Sequence, residues 1–475
     1  MSGTQQQPQG LRRIPLPRQA YPLDSGPESA QDLLNLFAEP EPDDTRAPII
    51  LRSTPGLVTF VNVGAGPIYA MADLHGFLYV ASGARGYRVY ADGTFTDLGE
   101  ILASVQATIA VGPTQVVFCC PPNAYVATHA GVLVQITDAA FPGASSVAYL
   151  NDRFIYTQPN TGVFFTSKLA DGSVFDPLDF ATQEAMPDVV KRGIAHLGTY
   201  WLFGADAIEV WYDAGATDFP FRRQSGAVIY GGTTTPTSIA RLDNGLCYLG
   251  RDGIVYHTEG FRARRISTFA LEQAILKYGD PATGDLGDVQ GCSYTQQGHQ
   301  FYCLTFPNAS PGGRTWVYDA ATNLWHRRSG ADGTGRWRGR VAAQYGSSPI
   351  IGDATTGNVY FLAPNVATDN GVTVERLAVF PTMTVNQHRI FMARLEIEME
   401  VGTGLVPMAF TVDWSDDGGV TYSTPRTLNV GAVGARRTRP FTTRLGSFRQ
   451  RALRLNIVGY VTIYAADAIL REGEA

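Results

Sequence analysis

The chain reads as an all-β protein: a β-propeller of six or seven blades, preceded by an extended N-terminal arm and followed by a β-sandwich. Three observations predict this. A unit of apolar strand, Gly or Asp-Gly turn, aromatic-rich strand and polar link recurs about every 37 to 55 residues between Gly76 and Asn370. Repetition at this period, with about four strands per unit, fits blades that bury their faces against neighbouring blades. The composition agrees, since 51 glycines and 28 prolines without a collagen-like period serve many tight turns, and 11% aromatic residues favour strands. Beyond Val372 the repeat stops and the strands lengthen, which marks a second β-domain. The boundaries follow as 1–50 for the arm, 51–371 for the propeller and 372–475 for the sandwich.

Within residues 1–50, Met1–Pro27 is rich in Gln, Pro and Arg, a composition that favours an extended arm over a packed element. Glu28–Ala38 reads equally as helix or extended chain. A helix would turn Leu33, Leu34 and Phe37 inward, and Ser29 with Asp32 would form a capping box.

In the propeller span the clearest copies are Gly76–Tyr90, Asp152–Ser167, Gly198–Tyr212 and Asn244–Thr258. Gly298–Arg328 and Gly346–Leu362 follow them, and a weaker copy lies at Gln115–Ile136. Asp-Gly pairs at Asp92–Gly93, Asp171–Gly172 and Asp252–Gly253 suit hairpins because both residues tolerate positive φ. One helix is predicted at Phe269–Tyr278, with Leu271, Ile275 and Leu276 on its apolar face. In the last domain Leu395, Ile397 and Met399 alternate with Glu396, Glu398 and Glu400, a period of two with one buried and one wet face.

Charge narrows the function. A net charge of −6 argues against global attraction to DNA or an anionic membrane, while leaving room for a local basic patch. No run reaches the ~20 apolar residues of a membrane span, and no signal peptide is visible, so a reducing cytoplasm is the expected site of synthesis. The five cysteines fall mostly in apolar strand-like runs and read as buried free thiols. None of the seven histidines has metal-ligand spacing, and no G-x-S-x-G elbow or Walker loop is present. Neither a cofactor nor a catalytic residue is expected.

Two motifs carry candidate roles. Arg327, Arg328, Arg336, Trp337, Arg338 and Arg340 join guanidinium forks to an aromatic ring, a composition that fits either interface carboxylates or DNA phosphates. Ser415, Asp417, Gly419 and Thr421 follow the Asp-box pattern S-x-D-x-G-x-T, in which Ser and Asp side chains fix a hairpin turn. Asp413, Asp416 and Asp417 leave a calcium site as the lesser alternative. The Asp-box and the aromatic content also support a carbohydrate-binding or sialidase-like propeller as the alternative function, although only one such box is visible.

Asp32–Leu57 joins an N-L-F-A segment to an L-R-S-x-P-G-L segment. With Phe203–Tyr212, the Asp-x-x-T-x-x-W unit at Asp319–Trp325 and Asp-Pro-Leu-Asp-Phe at 176–180, the chain resembles the packaged-DNA stabilisation proteins of short-tailed phages, also called tail hub or nozzle proteins. The resemblance spans about residues 30–470. It implies a non-enzymatic virion component assembled in the host bacterial cytoplasm. Six copies would form a ring below the portal and its adaptor, extend the DNA channel, retain the packaged double-stranded DNA, and carry the needle or plug and spikes or fibres. No membrane insertion is implied. Residues 1–50 are expected to dock on a neighbouring subunit or the adaptor, so that their deletion leaves a soluble propeller.

Overall fold

The computed structural model describes residues 10–21, 31–41, 48–74, 76–103, 106–216, 219–279, 285–384, 388–401, 409–431 and 436–473. Residues 1–9, 22–30 and 42–47 of the predicted arm, and with them the Ser29 capping position, lie outside them.

Each repeat copy falls within one four-stranded antiparallel blade, and the described residues form seven. The first blade runs Ile68–Leu74, Phe77–Ser82, Arg85–Val89 and Phe95–Glu100. The next four occupy residues 108–135, 146–182, 190–230 and 240–265. The sixth comprises Gln290–Gln296, His299–Phe306, Arg314–Asp319 and Leu324–Arg328. The seventh takes three strands from Gly339–Tyr345, Ser348–Asp353 and Asn358–Ala363, and its outermost strand, Gly56–Asn62, from the start of the chain. That antiparallel pairing, Leu362 against Leu57, closes the wheel with a strand from about 300 residues earlier. The blades pack through alternating apolar residues, such as Tyr79, Phe118 and Cys120 between the first two and Phe203, Ile208 and Tyr248 between the fourth and fifth. All five cysteines are buried and free.

The helix at Phe269–Tyr278 links the fifth and sixth blades, and Thr268 Oγ1 accepts the Leu271 N–H at its start, 3.3 Å away. Leu271 and Ile275 are buried, whereas Leu276, expected on the same face, is 76% exposed. Ala270 is buried with them and Ala274 and Tyr278 pack on the same core, so the inward face is turned away from Leu276.

The largest departure from the sequence reading is at the N-terminus. Residues 32–41 and 48–53 form neither a helix nor a free arm. Asp32–Leu34 inserts as a strand between Leu324–Arg328 of the sixth blade and Glu375–Val379 of the sandwich. Leu36–Pro40 pairs with Ile49–Ser53, which in turn pairs with Val461–Glu472, and Arg12–Ile14 also adds to that last strand. The sixth blade therefore continues through Asp32–Leu34, Glu375–Val379, Gln450–Val458 and Ala409–Ser415 as part of one ten-stranded sheet. The apolar residues Leu33, Leu36, Ile49 and Leu51 go into the sandwich core with Leu395, Ile397, Phe410, Leu455 and Ile463. A helix would have placed only part of this set inward, so burial decides for strands.

In Ile390–Val401 the inward face is as expected, but the outward one is not wet. Glu396 and Glu398 are 9% and 5% exposed, because Arg437 Nη2 lies 2.7 Å from Glu398 Oε1 and Arg439 Nη2 lies 3.2 Å from Oε2. These arginines outweigh burial and hold the Glu398 carboxyl below its ordinary range. The Arg436–Arg439 cluster is thus partly used as a roof over its own sheet.

Candidate interface residues and the arginine seam

Leu324–Arg328 is the outer edge of the sixth blade, and residues 329–338 cross to the inner strand of the seventh. This places the predicted arginine cluster where propeller, N-terminal strands and sandwich meet. Arg327 Nε donates to Asp32 Oδ1 at 2.9 Å and Nη2 bonds Oδ2, a bidentate clasp on the inserted strand. Arg328 is 2% exposed: Nη2 donates to Pro55 O at 2.9 Å, Nη1 to the Tyr294 hydroxyl at 3.3 Å, and its guanidinium lies 3.9 Å from the centre of the Trp337 ring. Trp337 is wholly buried. Arg338 Nε stands 3.2 Å from Asp353 Oδ2, and Arg340 Nη2 stands 3.1 Å from Asp288 Oδ2. Arg336 is the half-buried member, and burial, with the nearby Arg340 charge, lowers its pKa.

Of these six expected contacts to DNA or to another subunit, Arg328, Trp337 and Arg340 are buried, whereas Arg327, Arg336 and Arg338 are part-exposed. A ring with no exposed face has none to offer a base, and four of the five guanidiniums are engaged by partners within the chain. A period-two strand in an otherwise acidic chain looks exposed when its sheet neighbour is unknown. Here that neighbour, Asp32–Leu34, lies nearly 300 residues away.

Two residues outside the predicted set complete the seam. Asn35 is 1% exposed with φ 55°. Its Nδ2 donates to Ser329 Oγ at 2.9 Å and Glu375 O at 2.8 Å, and its Oδ1 accepts the Ser329 N–H at 3.1 Å. Asn tolerates this left-handed conformation better than most residues. Arg376, 2% exposed, donates to Val374 O, Gly459 O and Thr54 O. Burial pulls its pKa down to about 10, against the opposing charge of Asp369. Asn35 stands inside the N-L-F-A segment that carried the family resemblance, so its signal was present as a motif without a visible reason.

In the Asp-box loop, Ser415 Oγ donates to Asp417 Oδ1 at 2.6 Å and accepts the Gly419 N–H at 2.7 Å. Asp417 also accepts the N–H groups of Val420 and Thr421, at 3.1 and 2.9 Å. Those donors hold its carboxyl well below the usual range. Asp416 and Asp413 are each clasped by two nitrogens of an arginine, Arg451 and Arg454 respectively, at 2.7 to 2.8 Å. Two of the three acids considered for calcium therefore already have cations. Among the described residues no three His, Cys, Asp or Glu side chains gather as a metal cluster.

The inner strands of all seven blades surround an axial cavity of about 750 Å³, lined by Asp73, Arg192, Arg241, Gln300 and Arg340 among others. Gly193 lies on this lining with Tyr200 directly behind it: a Cβ there would come within 1.7 Å of the Tyr200 hydroxyl.

No curated protein matches the chain by sequence. Solved propellers resemble it faintly. The computationally designed Ika8 protein is 12% identical, with 64% of this chain and 99% of that one covered and a TM-score of 0.37. BamB from Moraxella catarrhalis is 10% identical, covers 75% and 98%, and has a TM-score of 0.40. The Pan2 WD40 domain of Neurospora crassa is 10% identical, covers 65% and 95%, and also scores 0.40. Likeness this slight supports no argument here. The family comparison is of another order. Residues 29–367 match the model described as bacteriophage P22 Gp10, beta-propeller, and residues 375–471 the one described as its beta-sandwich. With both parts matched in order and the fold observed to consist of those two parts, the chain belongs to the P22 Gp10 family of structural phage tail proteins, the tail hub or nozzle proteins of podoviruses.

Proposed function

We propose that this protein is the nozzle subunit of a short phage tail. Six copies form a ring below the portal and adaptor, extend the DNA channel, hold the packaged genome, and carry the needle or plug and the spikes or fibres. The observation that carries the reading is the match of both halves of the chain, in order, to the P22 Gp10 models. The shared ten-stranded sheet supports it, because a part that bears internal pressure gains from having its two domains joined by backbone hydrogen bonds. No helix among the described residues is long and apolar enough to cross a membrane. The chain's acidic balance suits a channel through which DNA slides without strong phosphate binding.

The test uses DNA-filled, adaptor-bearing heads from a phage lacking this gene. Added protein is expected to keep the DNA resistant to nuclease and to appear as a six-fold ring by electron microscopy. Heads that lose their DNA equally with and without the protein would refute the reading. Efficient glycan hydrolysis by the purified chain would favour the carbohydrate-active alternative instead.

A further inference from the structure

Two surfaces of opposite character lie in different sheets of the chain, and the apolar residues at the centre of each are exposed. The first is at one end of the outer sandwich sheet. Phe391, 44% exposed, is flanked by its cross-strand partners Ser447 and Arg471. Arg389, just ahead of the strand, lies against Gly473 beside the Phe391 ring, and Arg449 occupies the exposed bend that follows Ser447–Phe448. Arg389, Arg449 and Arg471 are exposed and make no ion pair among the described residues. The Phe391 ring rests on Gly473, where a Cβ would approach to 2.9 Å. The sandwich as a whole, residues 372–475, has twelve arginines, no lysine and ten acids in a chain whose net charge is −6.

The second surface is the rim of the third blade. Its outermost strand, Asp171–Thr182, is twelve residues long and shows Val174, Leu178 and Phe180 at 43%, 77% and 49% exposure. Leu169 beside it is 62% exposed. Between Arg153 and Lys191 the chain has five acids, Asp171, Asp176, Asp179, Glu184 and Asp188, against one cation, Lys168. That lysine bridges Asp176 and Asp179, at 2.9 and 3.2 Å. Pro177 removes a backbone donor from this free edge, so the rim is suited to side-chain docking rather than strand addition. The sandwich is tied to the sixth and seventh blades, which places the third blade across the wheel from it.

We propose that these surfaces are the two halves of one head-to-tail contact: the arginine–phenylalanine end of one copy's sandwich seats on the apolar, acidic rim of the next copy's third blade. A ring needs such a heterologous contact, made of two different patches on each subunit. The compositions are complementary in charge and both have an apolar centre. Arginine and aromatic residues without lysine are typical of protein contacts, whereas phosphate binding does not select against lysine. The inference rests on the ring reading above and names the surfaces that close the ring.

The test compares wild type, the triple reversal Arg389→Glu, Arg449→Glu and Arg471→Glu, and the rim pair Leu178→Asp and Phe180→Asp. Ring formation is read by mass photometry in low salt and on adaptor-bearing heads. Each variant is expected to melt like wild type, since its side chains are exposed, yet to self-associate at least ~10-fold more weakly. A chain combining the triple reversal with Asp176→Arg, Asp179→Arg and Glu184→Arg is expected to regain rings. Folded variants that assemble like wild type, or an absent rescue, would overturn the contact. So would arginine variants that lose affinity for duplex DNA while their rings persist. Nuclease protection by wild-type protein reports on the nozzle reading separately, whichever surfaces meet.

Discussion

Replacing Asn35 with alanine isolates the energetics of the seam. The side chain is buried and makes three hydrogen bonds, two to Ser329 and one to the Glu375 carbonyl. Truncation strands the Ser329 N–H and the Glu375 C=O inside the protein, at ~1–3 kcal/mol each. Alanine at φ 55° adds ~1 kcal/mol that asparagine largely escapes. The expected loss is therefore roughly 3–7 kcal/mol, a large part of the ~5–15 kcal/mol that holds a typical domain folded. Asn35→Gly separates the terms, because it removes the same hydrogen bonds but accepts the backbone, and should be about 1 kcal/mol less harmful than alanine. Urea unfolding followed by tryptophan fluorescence, with hydrogen exchange at Ser329, reads both. The alanine variant should also separate unfolding of the sandwich from that of the wheel. A midpoint shift equivalent to less than about 1 kcal/mol, with Ser329 still protected, would refute the hydrogen-bond reasoning.

Three further outcomes are expected. Deleting residues 1–50 removes Asp32–Leu34 and Leu36–Pro40 from their sheets, so the product should be insoluble or lack a folded sandwich; a soluble truncation with an intact melting transition would contradict the topology. Trp337→Ala should cost about 3–5 kcal/mol of stability, as for other large core truncations, and leave the DNA affinity of the folded fraction unchanged, which a filter-binding assay checks. Burial pushes the pKa of His326 down to about 3, so between roughly pH 6.5 and 3 the unfolded chain binds a proton the folded one refuses, and stability falls as pH falls. The stability of His326→Phe relative to wild type should accordingly rise with acidification across that window, as measured by denaturation at pH 7 and pH 5. His299, bonded to Asp319, has a raised pKa and the opposite sign: its contribution is full below its unfolded pKa and fades as pH rises through the folded one.

The wheel was legible because its pairings are local. Each hairpin joins strands only a few residues apart, as with His196 and Thr199 or Leu242 and Gly245, so turn residues and alternation suffice to show it. The long strand Ile390–Val401 and the helix at Phe269–Tyr278 announced themselves in the same way. What escaped depends on partners distant in sequence. Ser53 Oγ bonds Val461 O, and Arg13 bonds Asp467, across more than 400 residues. Without those partners, Asp32–Leu34 has too few residues to declare a strand, and Arg328 looks like a surface cation although it is enclosed by Pro55, Tyr294 and Trp337. Glu398 misleads for the same reason, since the arginines that cover it come from a separate segment.

The strand Asp32–Leu34 leaves the ribosome well before both strands that flank it, since Leu324–Arg328 and Glu375–Val379 are made some 300 residues later. For most of synthesis the leading segment therefore waits beside a growing wheel whose clasp, Gly56–Asn62, is equally unmatched until Asn358–Ala363 appears. Maturation is thus set by the last third of translation, and a ribosome that stalls before residue 358 releases an open, sticky crescent rather than a smaller working part.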